Sequence, residues 1–562
     1  MNALQEVTVK NSGATFTPTA LADFLSEKIL TYYEELSNHT VVLDPACGDG
    51  ELLSSLATKI NKSFDFDLKG YDTNIDYILA TKNRLFELGF SRSKIQQRDF
   101  LEVSPNSTNL FSDDILHEFA DIVIANPPYV RTQILGAQKS QQIAKDYNLT
   151  GRIDLYYPFL IGMTNALKKG GIIGVITSNR YFTTKSGAEI RKFLLENYDI
   201  LEIIDLGDTK IFDAAVLPAI FIGKKKASKK QLTKPGMFGK IYEYLQPQTP
   251  TNFVETESIF DILRQNKSGL FKVNDKIFDY SVGLFKHSHI KTDVWQMTTE
   301  HENKWIETIQ SNTAFYLGDR FKVRVGIKSC ADNVFLNANW EKESFVPEKE
   351  LLLPLISQEN ITKWSCSLLD YAHVLYPHSS NNGKRTVIDI EKYPNAKEYL
   401  SKHKDQLQAR KYLIDAGRKW YEMWVPQNPS LWKLPKIVFP DISLEARFSY
   451  DESGAIVNGN CYWIVAQNQE EKELLFLIQG ICNSDLMAQY HDLCFNNKLY
   501  SGRRRYLAQY IEKYPIPNPE TKTAKRIIEI VKQFNLQASH DDIDSLTDEL
   551  NKNVREAFRI TD

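Results

Sequence analysis

Between residues 41 and 222, short apolar runs alternate with stretches of helical spacing. Val41-Val-Leu43, Phe66–Asp72, Ile95–Phe100, Ile122-Val-Ile-Ala125, Ile172–Thr177, Ile200–Ile204 and Leu217–Ile222 have the length and side-chain character of strands. Between them, apolar positions recur as on one face of a helix. They do so at Leu21, Phe24, Leu25 and Ile29, at Leu52, Leu53, Leu56, Ala57 and Ile60, at Ile78, Leu79 and Leu85, and at Leu160, Met163 and Leu167. Lys168-Lys-Gly-Gly171 reads as the end of the last of these, and Gly187–Leu195 as a further helix. This alternation predicts one α/β domain whose sheet is mixed and mostly parallel, with its last two strands as an antiparallel edge. The polar stretch 131–152 reads as an exposed loop.

Candidate chemistry gathers at strand ends. Ile122–Ala125 suits an inner strand of a parallel sheet, and Asn126-Pro-Pro-Tyr129 stops it. Neither proline donates to a ladder, and each pushes the preceding residue toward extended geometry. The result is a stiff polar and aromatic tip at the carboxyl edge of a strand, where open α/β sheets bind ligands. Asp44-Pro-Ala-Cys-Gly-Asp-Gly50 forms a second such edge, between a strand and a helix N-terminus. Its glycines permit tight turning. It lacks both the dinucleotide fingerprint and the Gly-Lys-Ser/Thr of a phosphate loop. Asp44 and Asp49 suit a ligand bearing positive charge. Asp72 ends the next strand, where a carboxylate can accept both hydroxyls of a ribose, and Asn74 caps the following helix. Asp99 could receive an adenine amine, with Phe100 contributing to the ring pocket. Thr17 and Pro18 read as the cap and first position of a helix, and the loop before it can cover a ligand. Taken singly, each feature also admits an ordinary turn or a solvated acid.

Length and composition limit the alternatives. A chain of 562 residues, 42% hydrophobic and 25% charged, is globular and expected to form two to four domains. A formal net charge of -3 gives no global support to a nucleic-acid partner, so any such surface is local. Six cysteines without a close CxxC pair argue against a disulfide framework or a thiolate zinc site and for an intracellular enzyme. No signal-peptide pattern and no 18-residue apolar run stand in the sequence. Past residue 224 the composition shifts at Lys224-Lys-Lys-Ala-Ser-Lys-Lys230. The expected divisions are 1–235, 236–520 (itself open to subdivision) and a helical 521–562 that packs or dimerises. A helix over roughly 392–416 with Lys402, Lys404, Arg410 and Lys411, then Arg418-Lys-Trp-Tyr421, mixes cations with stacking rings. Arg503-Arg-Arg505 is a second basic patch. Such groups neutralise phosphates and meet bases, or simply form solvated faces.

In this order, the motifs resemble the amino-methylating, S-adenosylmethionine-dependent DNA methyltransferases of the gamma arrangement, the TaqI-like N6-adenine family. Asp44–Gly50 resembles the family's cofactor loop and Asn126-Pro-Pro-Tyr129 its catalytic tetrapeptide; the match is strongest over about 13–224. The resemblance implies a class I methyltransferase fold and a mixed α+β target-recognition region. Val325-Gly-Ile327, Gly417–Tyr421, Gly480–Ser484 and Tyr514-Pro-Ile-Pro517 are similar to landmarks of that region. The implied cofactor contacts are Thr15, Phe16, Thr17 and Pro18 on the methionine side, Asp44, Ala46 and Gly48 in the loop, Asp72 at the ribose, Asp99 and Phe100 at the adenine, and Asn126. Asn126, Pro127 and Tyr129 carry catalysis, and Tyr129 and Phe212 stack on the target base. Arg410, Lys411, Arg418, Lys419, Trp420, Tyr421, Arg503, Arg504 and Arg505 are the candidate DNA contacts.

The implied reaction is methyl transfer from S-adenosylmethionine to N6 of an adenine flipped out of duplex DNA, without a metal. Cys47 lies in the cofactor loop and reads as packing, and no cysteine stands in the tip for attack on cytosine C5. Transfer to cytosine N4 or to RNA, and a noncatalytic DNA-binding component, are the alternatives. The expected partners are duplex DNA and a separately encoded restriction endonuclease, for a monomer or weak homodimer in the bacterial cytoplasm, nucleoid-associated when bound to DNA. The pattern beginning near residue 13 predicts no cleavage domain ahead of it.

Overall fold

A computed structural model describes residues 16–561 apart from 34–38, 61–65, 91–92, 104–116, 130–131, 151–152, 213–216, 229–234, 246–249, 286–293, 368–371, 496–497, 500–501 and 537–539. The chain divides into two compact units, Met1–His301 with Leu493–Gly502, and Glu302–Asp492 with Arg503–Asp562.

The first unit begins with α1 (Thr19–Tyr32), β1 (Val41–Asp44), α2 (Glu51–Lys59), β2 (Asp67–Asp72), α3 (Ile75–Glu87), β3 (Lys94–Gln97), α4 (Phe100–Val103) and β4 (Ala120–Ala125). It continues with α5 (Ala137–Asp146), α6 (Tyr156–Ala166), β5 (Leu167–Ser178), α7 (Ala188–Asn197), β6 (Tyr198–Asp205) and β7 (Pro218–Lys225). Then come β8 (Gly236–Glu243), β9 (Val254–Glu255), α8 (Ile259–Gln265), β10 (Gly269–Val273) and β11 (Lys276–Phe285). The strands form one sheet in the order β3-β2-β1-β4-β5-β7-β6-β8-β11-β10-β9. Through β5 all pairings are parallel; β7 runs antiparallel between β5 and β6. This is the mixed, mostly parallel sheet of the class I methyltransferase fold expected from the sequence.

Strand side chains alternate between two faces. Leu43 and Val123, paired in register, share a core with Tyr156, Leu160, Met163, Ile190 and Leu194 of α6 and α7. Val42, Ile122 and Ile124 point the other way, against Phe24, Leu25 and Ile29 of α1 and Leu53 and Leu56 of α2. The inner strands are thus covered on both faces, which is why β4 reads as an unbroken apolar run. The order reverses direction between β1 and β4, so their carboxyl ends flank the crevice in which such sheets bind ligands.

Several expectations change. Lys168-Lys-Gly-Gly171 does not end a helix: α6 stops at Ala166 and the sheet claims these residues as the start of β5. Lys168 Nζ holds both Asp121 oxygens at 2.8 Å, and Lys225 Nζ holds the Leu167 carbonyl at 2.6 Å. Within 131–152, a turn at Thr132–Leu135 and α5 replace the loop; α5 reads as polar because Ile143 is its buried residue. The pair β6 and β7 is antiparallel but is not an edge, since β8 pairs with β6. The sheet therefore runs on past the change of composition at 224.

The second unit is mixed α+β. One four-stranded sheet orders Arg324–Val325, Cys461–Val465, Lys436–Pro440 and Ser449–Asp451, and its core includes Trp463 stacked on Trp432 at 4.6 Å. Helices Lys522–Asn535 and His540–Ala557 pack with each other and with Gln469–Cys482. The helix expected over 392–416 is broken into Pro394–Lys402, Lys404–Gln408 and Lys411–Asp415, because the backbone leaves helical geometry at His403 and Arg410. No helix among the described residues is long and apolar enough to cross a membrane.

Helix α1 is locked to the sheet by charge as well as packing. Glu202 on β6, 4% exposed, accepts from Lys28 Nζ at 2.8 Å and from the Tyr32 hydroxyl at 3.1 Å. Removing one partner of a buried pair costs more than removing both. Lys28→Met is expected to destabilise the unit by about 3 kcal/mol, read as a lower urea midpoint. Lys28→Met with Glu202→Met is expected to recover most of that loss, and an equal or larger loss in the double variant would contradict the assignment.

Candidate active site

The loop after β1 is built by its backbone. Gly48 and Gly50 adopt φ +51° and +84°, and a side chain at Gly50 would strike Thr81 at 2.8 Å. Thr81 Oγ1 donates to the Gly48 carbonyl at 2.8 Å, tying α3 to the loop. At Gly48 a Cβ would meet nothing within 4 Å, so the loop opens onto free space there. Gly48 N–H donates to Asp72 Oδ2 at 3.0 Å and Asn74 N–H to Asp72 Oδ1 at 2.9 Å. The ends of β1 and β2 thus share one carboxylate, and Asn74 also caps α3 as expected.

Asp44 is the electrostatic centre of this corner. It is 1% exposed; Oδ1 accepts from Ala46 N–H at 3.0 Å, and Oδ2 is buried without a hydrogen-bond partner. Burial pushes its carboxyl up to about 8, opposed by the Ala46 hydrogen bond and helped by the negative charges of Asp72 and Asp49. Burial also raises Asp72. Asp49 lies 3.7 Å from Arg84. Cys47 is buried beside these acids, and desolvation first, then their charges, holds its thiol far above the ordinary range. It is a packing residue and no nucleophile.

The end of β4 faces this corner. Asn126 Nδ2 donates to Thr17 Oγ1 at 2.9 Å, and Asn126 Oδ1 accepts from the Tyr129 hydroxyl. Thr17 therefore does not cap α1: the helix starts at Thr19 with Pro18 as its cap residue, and the Thr17 hydroxyl is turned to the asparagine. Pro127 is buried. The Tyr129 ring stands edge-on to Phe212 at 6.5 Å and to Tyr156 at 6.5 Å. Desolvation keeps the Tyr129 hydroxyl protonated and hence a donor. The tip thus holds one neutral amide in a fixed orientation among three aromatic rings.

Other expected residues are placed as follows. Phe16 is 46% exposed, with its ring edge-on to Tyr77 at 5.4 Å; Thr15 lies outside the described residues. Phe100 is buried in the core, stacked on Phe159 at 5.8 Å. Asp99 lines a cavity of about 750 Å3 with Leu101, Leu135, Lys139, Ile143 and Tyr147. Its Oδ2 takes Lys139 Nζ at 3.2 Å. In the second unit, Arg410 is buried and donates to the carbonyls of Ser329, Leu407 and Trp420 at 2.6–3.1 Å. Arg418 holds Glu422 and the carbonyls of Met423 and Trp424. Tyr421 is core, its hydroxyl on the Ile388 carbonyl at 3.0 Å, and Trp420 is half-buried under Lys404. Arg504 grips Asp492 through two bonds and Arg505 pairs with Asp441 at 2.8 Å. Lys411, Lys419 and Arg503 are exposed.

Sequence reasoning brought Thr17, Asp44, Gly48, Asp72, Asn126, Tyr129 and Phe212 to one corner. It missed Tyr156, Thr81 and Lys139. The density of rings in Asp154-Leu-Tyr-Tyr-Pro-Phe159 was the signal for Tyr156; Thr81 and Lys139 had none.

Residues 52–212 match the family model described as Eco57I restriction-modification methylase, and residues 381–516 match the TaqI-like C-terminal specificity domain. The Type II methyltransferase M.BanIII of Aneurinibacillus aneurinilyticus is 43% identical, over 95% of this chain and 94% of its own. The Type II methyltransferase M.BstVI of Geobacillus stearothermophilus is 24% identical, over 96% of this chain and 95% of its own. Among solved structures, the fold is similar to the DrdV–DNA complex, with a TM-score of 0.54 at 11% identity over 94% of this chain and 58% of that one. It is also similar to the nuclease-deletion mutant of the Type ISP enzyme LlaGI with a DNA substrate mimic, with a TM-score of 0.52 at 13% identity over 94% of this chain and 48% of that one.

The raised carboxyl of Asp44 has a consequence for stability. The folded state holds this proton up to about pH 8, whereas an unfolded aspartate releases it near pH 4. The stability from this group is therefore complete below about pH 4 and is lost as pH rises through about 8. Asp44→Asn cannot titrate. Relative to the parent chain its melting temperature is expected to rise steadily from pH 5 to pH 8, and a difference independent of pH would contradict the assignment.

Proposed function

We propose a reaction from one premise: this chain belongs to the Type II restriction-modification methyltransferases. It is a site-specific DNA methyltransferase, and its acceptor is N6 of an adenine turned out of duplex DNA. The observation that carries this reading is the Thr17–Asn126–Tyr129 hydrogen-bond chain at the end of β4, beside the acidic corner of β1 and β2.

The cofactor is S-adenosylmethionine, which supplies a methyl group on a positively charged sulfonium. The residues present fit it. The open space at Gly48 leaves room against the loop, the unpartnered Asp44 Oδ2 suits a cationic amino group, and Asp72 already collects backbone donors as a ribose-binding carboxylate does. Thr17, Asp44, Asp72 and the Gly48 loop would hold it.

The acceptor nitrogen is weakly nucleophilic, since its lone pair is delocalised into the ring. Asn126 Oδ1 and the Pro127 carbonyl offer it two acceptors, which orient the amine and stabilise the positive charge that develops on it during attack. Thr17 fixes which end of the amide points outward. In this structure the outward oxygen is taken by the Tyr129 hydroxyl, so the arriving amine must replace that donor. Freed from it, the Tyr129 ring can stack on the base, with Phe212 and Tyr156 behind it. Asn126 is neutral and does not remove a proton first; the nitrogen loses its proton to solvent after transfer. Attack on cytosine C5 would need a thiolate nucleophile, and the tip holds none.

Incubation with tritiated S-adenosylmethionine and unmethylated duplex DNA, followed by nucleoside analysis, is expected to give N6-methyladenine; N4-methylcytosine, or label in RNA alone, would overturn the acceptor. Asn126→Ala is expected to lower kcat by about 10^3-fold. Thr17→Val, which removes the anchor of the amide, is expected to lower kcat by about tenfold.

A further inference from the structure

In the second unit, two of the expected arginines, Arg410 and Arg418, act as backbone clamps beside one exposed pair of rings. Tyr412 is 44% exposed and Trp424 39% exposed, and they meet edge to face at 4.9 Å. Arg410, two residues before Tyr412, donates to the Ser329 carbonyl at 2.7 Å. Arg418 donates to the Trp424 carbonyl at 2.7 Å and sets its guanidinium 5.9 Å from the Trp424 ring. Lys328 exchanges backbone hydrogen bonds of 2.9 Å in each direction with Val425, beside Trp424. Two stretches far apart in sequence, 328–329 and 410–425, are therefore fixed around two rings that water still reaches. Lys328, whose backbone pairs with the residue after Trp424, and Lys411, the residue before Tyr412, are exposed and enter no ion pair among the described residues. One acid, Asp415, is exposed on the helix that carries Tyr412, and Glu422 is already neutralised by Arg418.

We propose that Tyr412 and Trp424 form a rigid aromatic step on which the duplex DNA substrate rests, its sugars and base edges against the rings and its phosphates at Lys328 and Lys411. Rings that stay exposed and ordered pack against sugars and base edges without giving up side-chain freedom, and flanking ammonium groups displace counterions from the backbone. A protein partner would instead call for an apolar surround, and here the nearest exposed aliphatic side chain is Ile414. The step rests on the reading of this chain as a DNA methyltransferase; it keeps Lys411 among the expected contacts and adds Lys328, Tyr412 and Trp424, which sequence pattern did not single out.

The test uses the full chain and a pool of unmethylated duplex DNA, with filter retention for binding, methyl incorporation for the reaction and S-adenosylhomocysteine calorimetry for the cofactor site. Tyr412→Ala with Trp424→Ala is expected to weaken DNA retention at least tenfold and to leave S-adenosylhomocysteine affinity unchanged. Lys328→Ala with Lys411→Ala, exposed changes that leave the core intact, is expected to reduce the slope of log affinity against log salt by about two. Retention and salt slope equal to those of the parent chain in both variants would overturn the step. A parent chain that retains DNA but incorporates no methyl group would overturn the reaction and leave the retention comparison to decide the step.

Discussion

The site depends on how β4 ends. A buried parallel strand needs hydrogen-bonding neighbours on both sides, and β4 has them in β1 as far as Val123 and in β5 as far as Ala125. Pro127 and Pro128 then deny the ladder its donors. Asn126, the last residue before them, is left with a side chain that belongs to no strand and satisfies itself through Thr17 and Tyr129. Everything proposed for the chemistry follows from an amide that is neutral, oriented and placed at a switch point of the sheet. The packing of α1, α2, α6 and α7 on the two faces serves to keep that strand end from moving.

The second constraint is electrostatic. Three acids at the ends of β1 and β2 lie close together, and one of them, Asp44, is buried with an oxygen unanswered. A group of that kind lowers the stability of the protein alone and favours a cationic ligand. In the proposed reaction the aromatic tip takes the neutral amine of the base and the acidic corner the cationic amino group of the methyl donor. Burial of Cys47 beside the acids keeps the thiol of the same loop from acting as a nucleophile.

The parts of this arrangement that could be read from the sequence are local. A strand that stops at two prolines, a glycine turn before a helix, and an acid at a strand end each carry their reason within a few residues, so the positions of Asn126, Gly48 and Asp72 were legible. What was not legible depends on contacts across long stretches of chain. Arg410 looks like a phosphate ligand beside Lys411, and only the fold shows its guanidinium spent on Ser329, 81 residues away. Helix α5 reads as a loop because one residue of it is buried. The continuation of the sheet through β8 and β11 depends on pairing registers that composition does not carry. Thr17 is the instructive case: the motif was recognised, but its hydroxyl was assigned to the nearer helix end and serves an asparagine 109 residues on.

The central claim is that the corner of β1, β2 and β4 places a methyl donor beside Asn126. It is tested most directly by a crystal structure of the chain with S-adenosylhomocysteine. The account predicts the ribose hydroxyls on Asp72, the amino group toward Asp44, and the sulfur facing the Asn126 tip. A ligand seated elsewhere, or one whose sulfur points away from Asn126, would contradict it.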